Sequence, residues 1–180
     1  YGCIGLDADS LKKHVKPFFD AYSVDERCKH TIDSRVLKGL RDKLQFFDRS
    51  GEDDPEIRKL SEQVFDTIES PAYDSEYDGQ LMQFCRYIVE RTIDQKDWKK
   101  ALPRLTLVAS KFHWGVQRND MGSWNRALND YAKPIRRKLA DANAHELEYQ
   151  FLENLQKGIR HDSLQKEIAM LKAEVSKHVT

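Results

Sequence analysis

The stretch that decides the fold runs from Gln80 to Lys138 and reads QLMQFCRYIVERTIDQKDWKKALPRLTLVASKFHWGVQRNDMGSWNRALNDYAKPIRRK. Apolar residues recur in it every three or four positions, a spacing typical of amphipathic α-helices. It predicts three successive helices, and it holds all three tryptophans of the chain. The three stripes are Leu81, Cys85, Ile88 and Thr92; Trp98, Ala101, Leu102, Leu105, Val108 and Phe112; and Trp124, Leu128, Tyr131 and Ile135.

Two more helices are predicted before this stretch. The first begins near Asp33 or Ser34, and the second begins at Asp54-Pro55, where Asp54 caps the helix and Pro55 takes the first helical position. Before them, residues 1–8 are predicted to be a loose lead-in. The two stripes are Val36, Leu37, Leu40, Leu44 and Phe47; and Ile57, Leu60, Val64, Phe65 and Ile68.

Three prolines lie inside helical patterns, and a proline removes one backbone donor from a helix. Pro17 is predicted to end or kink a first helix, which Asp9 or Ser10 caps. Pro103 predicts a kink or a late helix start near Lys100. Pro134 predicts a bend near Asp130, because that carbonyl lies four residues earlier.

Strand signals are nearly absent, so the predicted fold class is all-α, an irregular bundle of about seven helices. The predicted domains are a helical bundle over residues 1–162 and an amphipathic helix over residues 163–180. That last helix has a/d spacing over about two heptads, and it either packs on the bundle or pairs with a second chain. Its stripe is Leu164, Ile168, Leu171 and Val175. The predicted core is Leu40, Leu44, Ile57, Leu60, Val64, Leu81, Ile88, Trp98, Leu105, Trp124, Leu128 and Leu152 or Leu155.

Composition narrows the functional classes. Lys plus Arg and Asp plus Glu are both 30, so the chain lacks the net positive charge typical of nucleic-acid binding. No apolar run approaches the ~18 residues of a membrane span. Three widely spaced cysteines suit a reducing compartment, so an intracellular location, cytoplasmic or nuclear, is expected. Because the sequence begins at Tyr1, it is expected to be a fragment of a longer protein.

No catalytic motif or complete metal motif is present in the sequence. Residues 145–148, His-Glu-Leu-Glu, lack the second histidine of a zinc helix, and residues 28–30, Cys-Lys-His, lack a second ligand pair. Cys85 lies within an apolar stripe and is expected to be a core residue. No catalytic residue, metal ligand or cofactor is therefore assigned. The chain is expected to be non-enzymatic, with a helical enzyme or cofactor-binding bundle as the remaining alternative.

The predicted partner-binding residues are an aromatic residue and a group of cations. Trp114 and Arg118 lie in a break between helices, and aromatic and arginine side chains dominate binding hot spots. The alternative for Trp114 is that it fills a helix junction. Arg136, Arg137 and Lys138 form a basic cluster that suits an acidic partner or phosphates, or is a solvated helix face.

Residues 64–131 resemble a known family in the order of their features. The matching features are Phe65-Asp66, Leu81-Met82, Tyr87-Ile88, Lys96-Asp97-Trp98 with Ala101, and Trp124. This order resembles the C-terminal helical domain shared by the outer COPII coat subunit and the steroid receptor RNA activator protein. The resemblance implies a helical bundle that binds proteins, with RNA contact proposed for some members, and it assigns no functional residue.

Three functional hypotheses follow. The first is a protein-interaction domain, a scaffold or adaptor, with self-association through the C-terminal helix as one form of it. The second is an RNA-binding module that uses Arg136, Arg137, Lys138 and Trp114. The third is the enzyme or cofactor-binding bundle.

Overall fold

The structure, a computed structural model, describes residues 3–179. These residues form helices and no strand, which confirms the all-α fold class. Eight of the helices described have seven or more residues, against about seven predicted. The chain forms two compact units, one up to Phe84 and one from Cys85, whereas the sequence placed a boundary between residues 162 and 163.

The first unit contains four complete elements before its two longest helices. Both long helices begin where the sequence predicted, because Asp33 accepts a hydrogen bond from the Arg35 N–H (2.8 Å) and Asp54 accepts one from the Glu56 N–H (3.1 Å). Every residue of their two predicted stripes is buried. The elements are α1 (Ala8–Ser10), a π-helical stretch (Leu11–Val15), α2 (Lys16–Ala21), α3 (Val24–Arg27), α4 (Ser34–Ser50), α5 (Pro55–Glu69) and the start of α6 (Gly79–Asp94).

The described part of the lead-in is packed rather than loose, which corrects the prediction for residues 3–8. The Leu6 N–H donates to the Arg35 carbonyl over 3.0 Å. A Cβ on Gly39 would overlap the Leu6 carbonyl, so the segment crosses α4 where only glycine allows the approach. The cap of α1 is Asp7, which accepts from the Ser10 N–H, and not Asp9 or Ser10. Residues 1 and 2 lie outside the described range.

The second unit is built around α10, which packs against α7, α9 and α11. The sequence predicts Asp94 or Asp97 as the cap of α7 and Asp120 as the cap of α8, and the structure has Asp97 and Asp120 in these positions. Its elements after α6 are α7 (Trp98–Ser110), a 3₁₀ turn (Phe112–Gly115), α8 (Met121–Ala127), a second π-helical stretch (Leu128–Ala132), α9 (Lys133–Asp141), α10 (His145–Gly158) and α11 (Asp162–Ser176).

Two arrangements were predicted for the C-terminal helix α11, packing on the bundle or pairing with a second chain, and the structure has the packed one. Leu164, Ile168 and Val175 are at most 4% exposed, and Leu171 is half-buried. These side chains cover α10, so pairing with a second chain through them would require α11 to leave α10.

Three expectations for α7 and α8 are corrected. A late start near Lys100 is wrong, since α7 starts at Trp98 with Pro103 inside it, and the alternative of a kink at Pro103 stays a prediction. Leu102 is 44% exposed, because Ala101, Leu105 and Val108 already supply the buried face of the helix. Trp98 and Trp124 are half-buried rather than core. The indole N–H of Trp124 donates to the Asn119 side chain, which keeps that end of the ring at the surface.

Candidate interaction cleft

Pro134 fixes the backbone beside the candidate site. The Lys133 N–H bonds to the Leu128 carbonyl five residues earlier, so the helix widens into a π turn before the proline. Pro134 has no N–H and cannot bond the Asp130 carbonyl. That carbonyl instead accepts a hydrogen bond from the Arg86 guanidinium on α6, over 2.8 Å. The helical spacing thus changes around Asp130, where a bend was predicted, and the hydrogen bond from Arg86 links this part of the chain to α6.

A cleft of about 510 Å³ opens between the end of α6 and α9. We call it the charged cleft, because seven of its ten lining residues are ionisable. The remaining three, Ile93, Pro134 and Ala142, form a small apolar part of its wall. The charged residues are Arg86, Lys96, Arg137 and Lys138 among the cations, and Glu90, Asp94 and Asp141 among the carboxylates.

Two of the four cations are already paired within the charged cleft. The Lys138 ammonium lies 2.9 Å from both carboxylate oxygens of Asp94. The Arg86 Nε lies 3.2 Å from a carboxylate oxygen of Glu90. The first pair joins α9 to α6 across the cleft, the second lies along α6, and both reduce the charge that the two cations present to a ligand.

The other two cations, Lys96 and Arg137, are exposed and have no ion pair among the described residues. Lys96 has a left-handed backbone (φ 56°), uncommon for a residue with a Cβ. Two hydrogen bonds at the end of α6 impose it, from the Lys96 N–H to the Ile93 carbonyl and from the Asp97 N–H to the Thr92 carbonyl. The position of Lys96 at the rim is therefore set by the backbone.

The structure brings together only part of the predicted basic cluster. Arg137 and Lys138 line the charged cleft, but Arg136 points elsewhere and donates to Glu148 over 2.9 Å. Glu148 is 1% exposed and also lies 3.4 Å from His145 Nδ1. Arg136 therefore serves as the partner of a buried carboxylate, which corrects its assignment to a partner-binding surface.

The loop residues of the prediction lie apart from the charged cleft. Trp114 is wholly buried in the 3₁₀ turn between α7 and α8, so its assignment as a surface contact is corrected in favour of the junction-filling alternative. Arg118 is exposed beside Asp120. Hydrogen bonding from Ser123, followed by the charge of Arg118, lowers the pKa of the Asp120 carboxyl.

Sequence reasoning missed Arg86 and Lys96, which lie on a different element from Arg137. One signal for Arg86 was present, since Pro134 predicts an unpaired carbonyl at Asp130 and such a carbonyl attracts a donor. No sequence signal identified Lys96.

The charged cleft offers a ligand mainly cations and carboxylates. Its described lining has no histidine, cysteine, serine or threonine. Nowhere in residues 3–179 do three histidine, cysteine or acidic side chains come together as a metal site would need. A planar guanidinium and an ammonium in one lining offer several N–H donors to an anion, and carboxylates and phosphates both accept such donors in proteins.

Comparison of the chain with protein-family models, with curated proteins and with solved structures found no match. The resemblance of residues 64–131 to the coat-subunit domain therefore stays a prediction. Over the described residues, no helix is both long enough and apolar enough to span a membrane.

Proposed function

We propose that this chain is a non-enzymatic protein-interaction module, a scaffold or adaptor, whose charged cleft docks an acidic segment of a partner protein. The observation that supports this is the pair of exposed cations, Lys96 and Arg137, which line one cleft and form no ion pair with a described carboxylate, Asp141 of the same lining included. A Glu or Asp side chain of the partner supplies the missing counter-ion.

The cleft suits a peptide better than an isolated anion. Its volume of about 510 Å³ exceeds that of a single carboxylate, and Ile93, Pro134 and Ala142 offer apolar contact beside the cations. Asp94 and Glu90 repel any acidic group of the partner that lies close to them. A segment therefore binds well only if its acidic side chains are spaced to meet Lys96 and Arg137.

RNA binding through the same cations is the alternative. Single-stranded nucleic acid binds best where aromatic rings stack on bases beside cations. Of the described residues that line the charged cleft, none is aromatic. The lack of a stacking ring among them favours a protein partner.

The test replaces both unpaired cations, as Lys96→Gln with Arg137→Gln. Fluorescence anisotropy measures binding of a short labelled peptide rich in Glu, and the affinity is expected to fall about tenfold or more, since each lost charge-assisted hydrogen bond contributes substantially. The matched control is Lys99→Gln with Arg160→Gln, two exposed cations outside the cleft, which removes the same charge.

Equal affinities of the two double variants would show that the peptide responds to net charge and not to the charged cleft. A labelled oligouridylate is measured in parallel. Binding of this oligonucleotide with a steep salt dependence, together with no binding of the peptide, would replace the protein partner by RNA.

A further inference from the structure

A second cavity, of about 230 Å³, lies in the first unit. It opens where the first π-helical stretch and α2 face α3 and the linker to α4, and we call it the aromatic pocket. Val15, Phe18, Phe19, Ile32 and Val36 give it apolar walls, and Phe19, Ile32 and Val36 are buried. The volume is below the about 300–1,000 Å³ of sites for drug-sized molecules, so a ligand of this pocket is small.

Arg27 brings a positive charge to the aromatic pocket without a counter-ion. Its guanidinium donates to the Tyr22 carbonyl over 2.9 Å and to the Phe19 carbonyl over 2.7 Å. Its remaining acceptors, the Gln63 carbonyl and the Thr67 hydroxyl, lie at 3.4 Å. All four acceptors are neutral, and none of the described carboxylates forms an ion pair with Arg27. A half-buried charge with only neutral partners attracts an anion.

Two histidines add donors at the pocket. His14, from the π-helical stretch, and His30, from the linker, are exposed and line it. An imidazole has at least one ring N–H donor in either charge state. The His30 ring also meets the Phe18 ring edge-on, with centroids 5.4 Å apart, which fixes an aromatic wall beside a donor.

One carboxylate, Asp33, lines the aromatic pocket as well. It is already occupied, because the Arg35 guanidinium lies 2.9 Å from one of its oxygens and the Arg35 backbone N–H bonds the other. These bonds lower the pKa of the Asp33 carboxyl and keep it in its capping position. Asp33 therefore does not serve as the counter-ion of Arg27.

We propose that the aromatic pocket binds a small aromatic carboxylate, with its ring against Phe18 and Phe19 and its carboxylate toward Arg27, His14 and His30. The site belongs to the first unit, and it does not rest on the function proposed for the charged cleft. The Arg27 charge selects the carboxylate, and the apolar walls select the ring.

Three probes separate these two requirements. Sodium benzoate has the ring and the charge, benzamide has the ring alone, and sodium acetate has the charge alone. Titrations of the full chain are followed by ¹H–¹⁵N NMR, where benzoate is expected to cause saturable shifts in residues 14–19 and 27–33. Its affinity is expected to exceed that of benzamide and of acetate by about tenfold each, the ratio for one charge-assisted hydrogen bond or one aromatic contact.

Two variants locate the site. Arg27→Gln is expected to bring the benzoate affinity down to that of benzamide. Because Arg27 also ties three segments of the backbone, a second variant leaves it in place: Thr31→Trp fills the mouth with a bulky side chain and is expected to abolish the shifts. Its matched control is Thr106→Trp, at an exposed threonine of α7 in the other unit.

Each other outcome overturns the proposal. Absence of saturable shifts with benzoate removes the site. Equal binding of benzoate and benzamide removes the role of charge, and equal binding of benzoate and acetate removes the role of the ring. Unchanged benzoate binding in Thr31→Trp places the ligand elsewhere.

Discussion

Each of the two units contains a five-residue π-helical stretch that begins at a buried leucine and is followed by Lys-Pro. In each, the lysine N–H bonds to the carbonyl of that leucine, five residues earlier. A proline just beyond removes the next donor, so neither helix continues with regular spacing through this point. The stretches are Leu11–Val15 before Pro17, and Leu128–Ala132 before Pro134.

The surroundings of the two stretches differ. The first carries His14 and Val15 into an apolar, aromatic pocket. Beside the second, the Asp130 carbonyl accepts from Arg86, and both Arg86 and Pro134 line a cleft of mixed charge. The same local backbone thus supports two different surfaces. The adjacent Lys-Pro accompanies the π-helical backbone in both units, whereas residues distant in the sequence, such as Arg86, decide which side chains line the neighbouring surface.

The largest expected effect tests whether the two leucines anchor their stretches equally. Leu11 and Leu128 are at most 1% exposed, so Leu11→Ala and Leu128→Ala each leave a buried cavity. Each is expected to lower the free energy of unfolding by about 2–5 kcal/mol. Urea unfolding, followed by circular dichroism, measures both.

The matched control for this comparison is Leu102→Ala, at a leucine that is 44% exposed on α7. It is expected to change the free energy of unfolding by about 0.5 kcal/mol or less, as for most surface sites. A small loss in only one of the two buried variants would show that the stretches are alike in backbone but not in anchoring.

An intermediate effect concerns the bond that only the second stretch has. Arg86→Ala removes the donor to the Asp130 carbonyl, and because Arg86 is partly exposed, the expected loss is about 1 kcal/mol. Pro134→Ala restores an N–H that can reach the same carbonyl from within the helix. In that background Arg86→Ala is expected to cost about 0.5–1 kcal/mol less, as a double-mutant cycle measures.

The cycle cancels the separate contact of Arg86 with Glu90, since that contact is lost in both backgrounds. Pro103→Ala provides the control, because its restored N–H faces Lys99, which is not a partner of Arg86. If the changes in the free energy of unfolding for Arg86→Ala and Pro134→Ala are strictly additive, the bond from Arg86 to the Asp130 carbonyl does not depend on the missing N–H of Pro134.

Local chemistry made much of the fold predictable. The caps Asp33, Asp54 and Asp120 act through side chains within three residues of the helix start, so the sequence contains both partners of each bond. The stripes of α4 and α5 were right at every position, because each of these helices buries a single face.

Tertiary contacts account for what was missed. The sequence pattern placed Trp114 at a break between helices, but only the packing around that turn decides that it is buried. Arg136 belonged to a run of cations, and its use was decided by Glu148, a residue of the next helix. The two sites were harder to predict. Arg27 matters because its acceptors are all neutral, and Arg86 matters because it reaches the Asp130 carbonyl 44 residues away. A sequence pattern contains neither fact.

The smallest expected effect concerns how each stretch is tied to its own unit. Lys12, within the first stretch, pairs with the capping carboxylate of Asp54 over 2.5 Å, and this pairing lowers the pKa of the Asp54 carboxyl. A carboxyl whose pKa is lower in the folded than in the unfolded protein stabilises the fold. This stabilisation is fully present above the pKa of the unfolded chain, about 3.9, and is lost as the pH falls through the lower pKa of the folded protein. Asp54→Asn keeps a capping side chain but removes the charge. It is expected to cost about 0.5 kcal/mol at neutral pH, in the range of surface pairs.

The contribution of Asp54 should therefore disappear both in acid and in high salt, which is measured as the difference in melting temperature between the native chain and Asp54→Asn. Asp120→Asn in the second unit is the matched comparison, because backbone hydrogen bonding from Ser123 is the largest cause that lowers the pKa of Asp120, and a lysine is not among its causes. Its effect should share the acid dependence of Asp54→Asn and respond less to salt, since a capping hydrogen bond at contact distance is screened less than an ion pair. An equal salt response of the two variants would mean that Lys12 does not tie the first π-helical stretch to α5, and that the cap alone accounts for the stability.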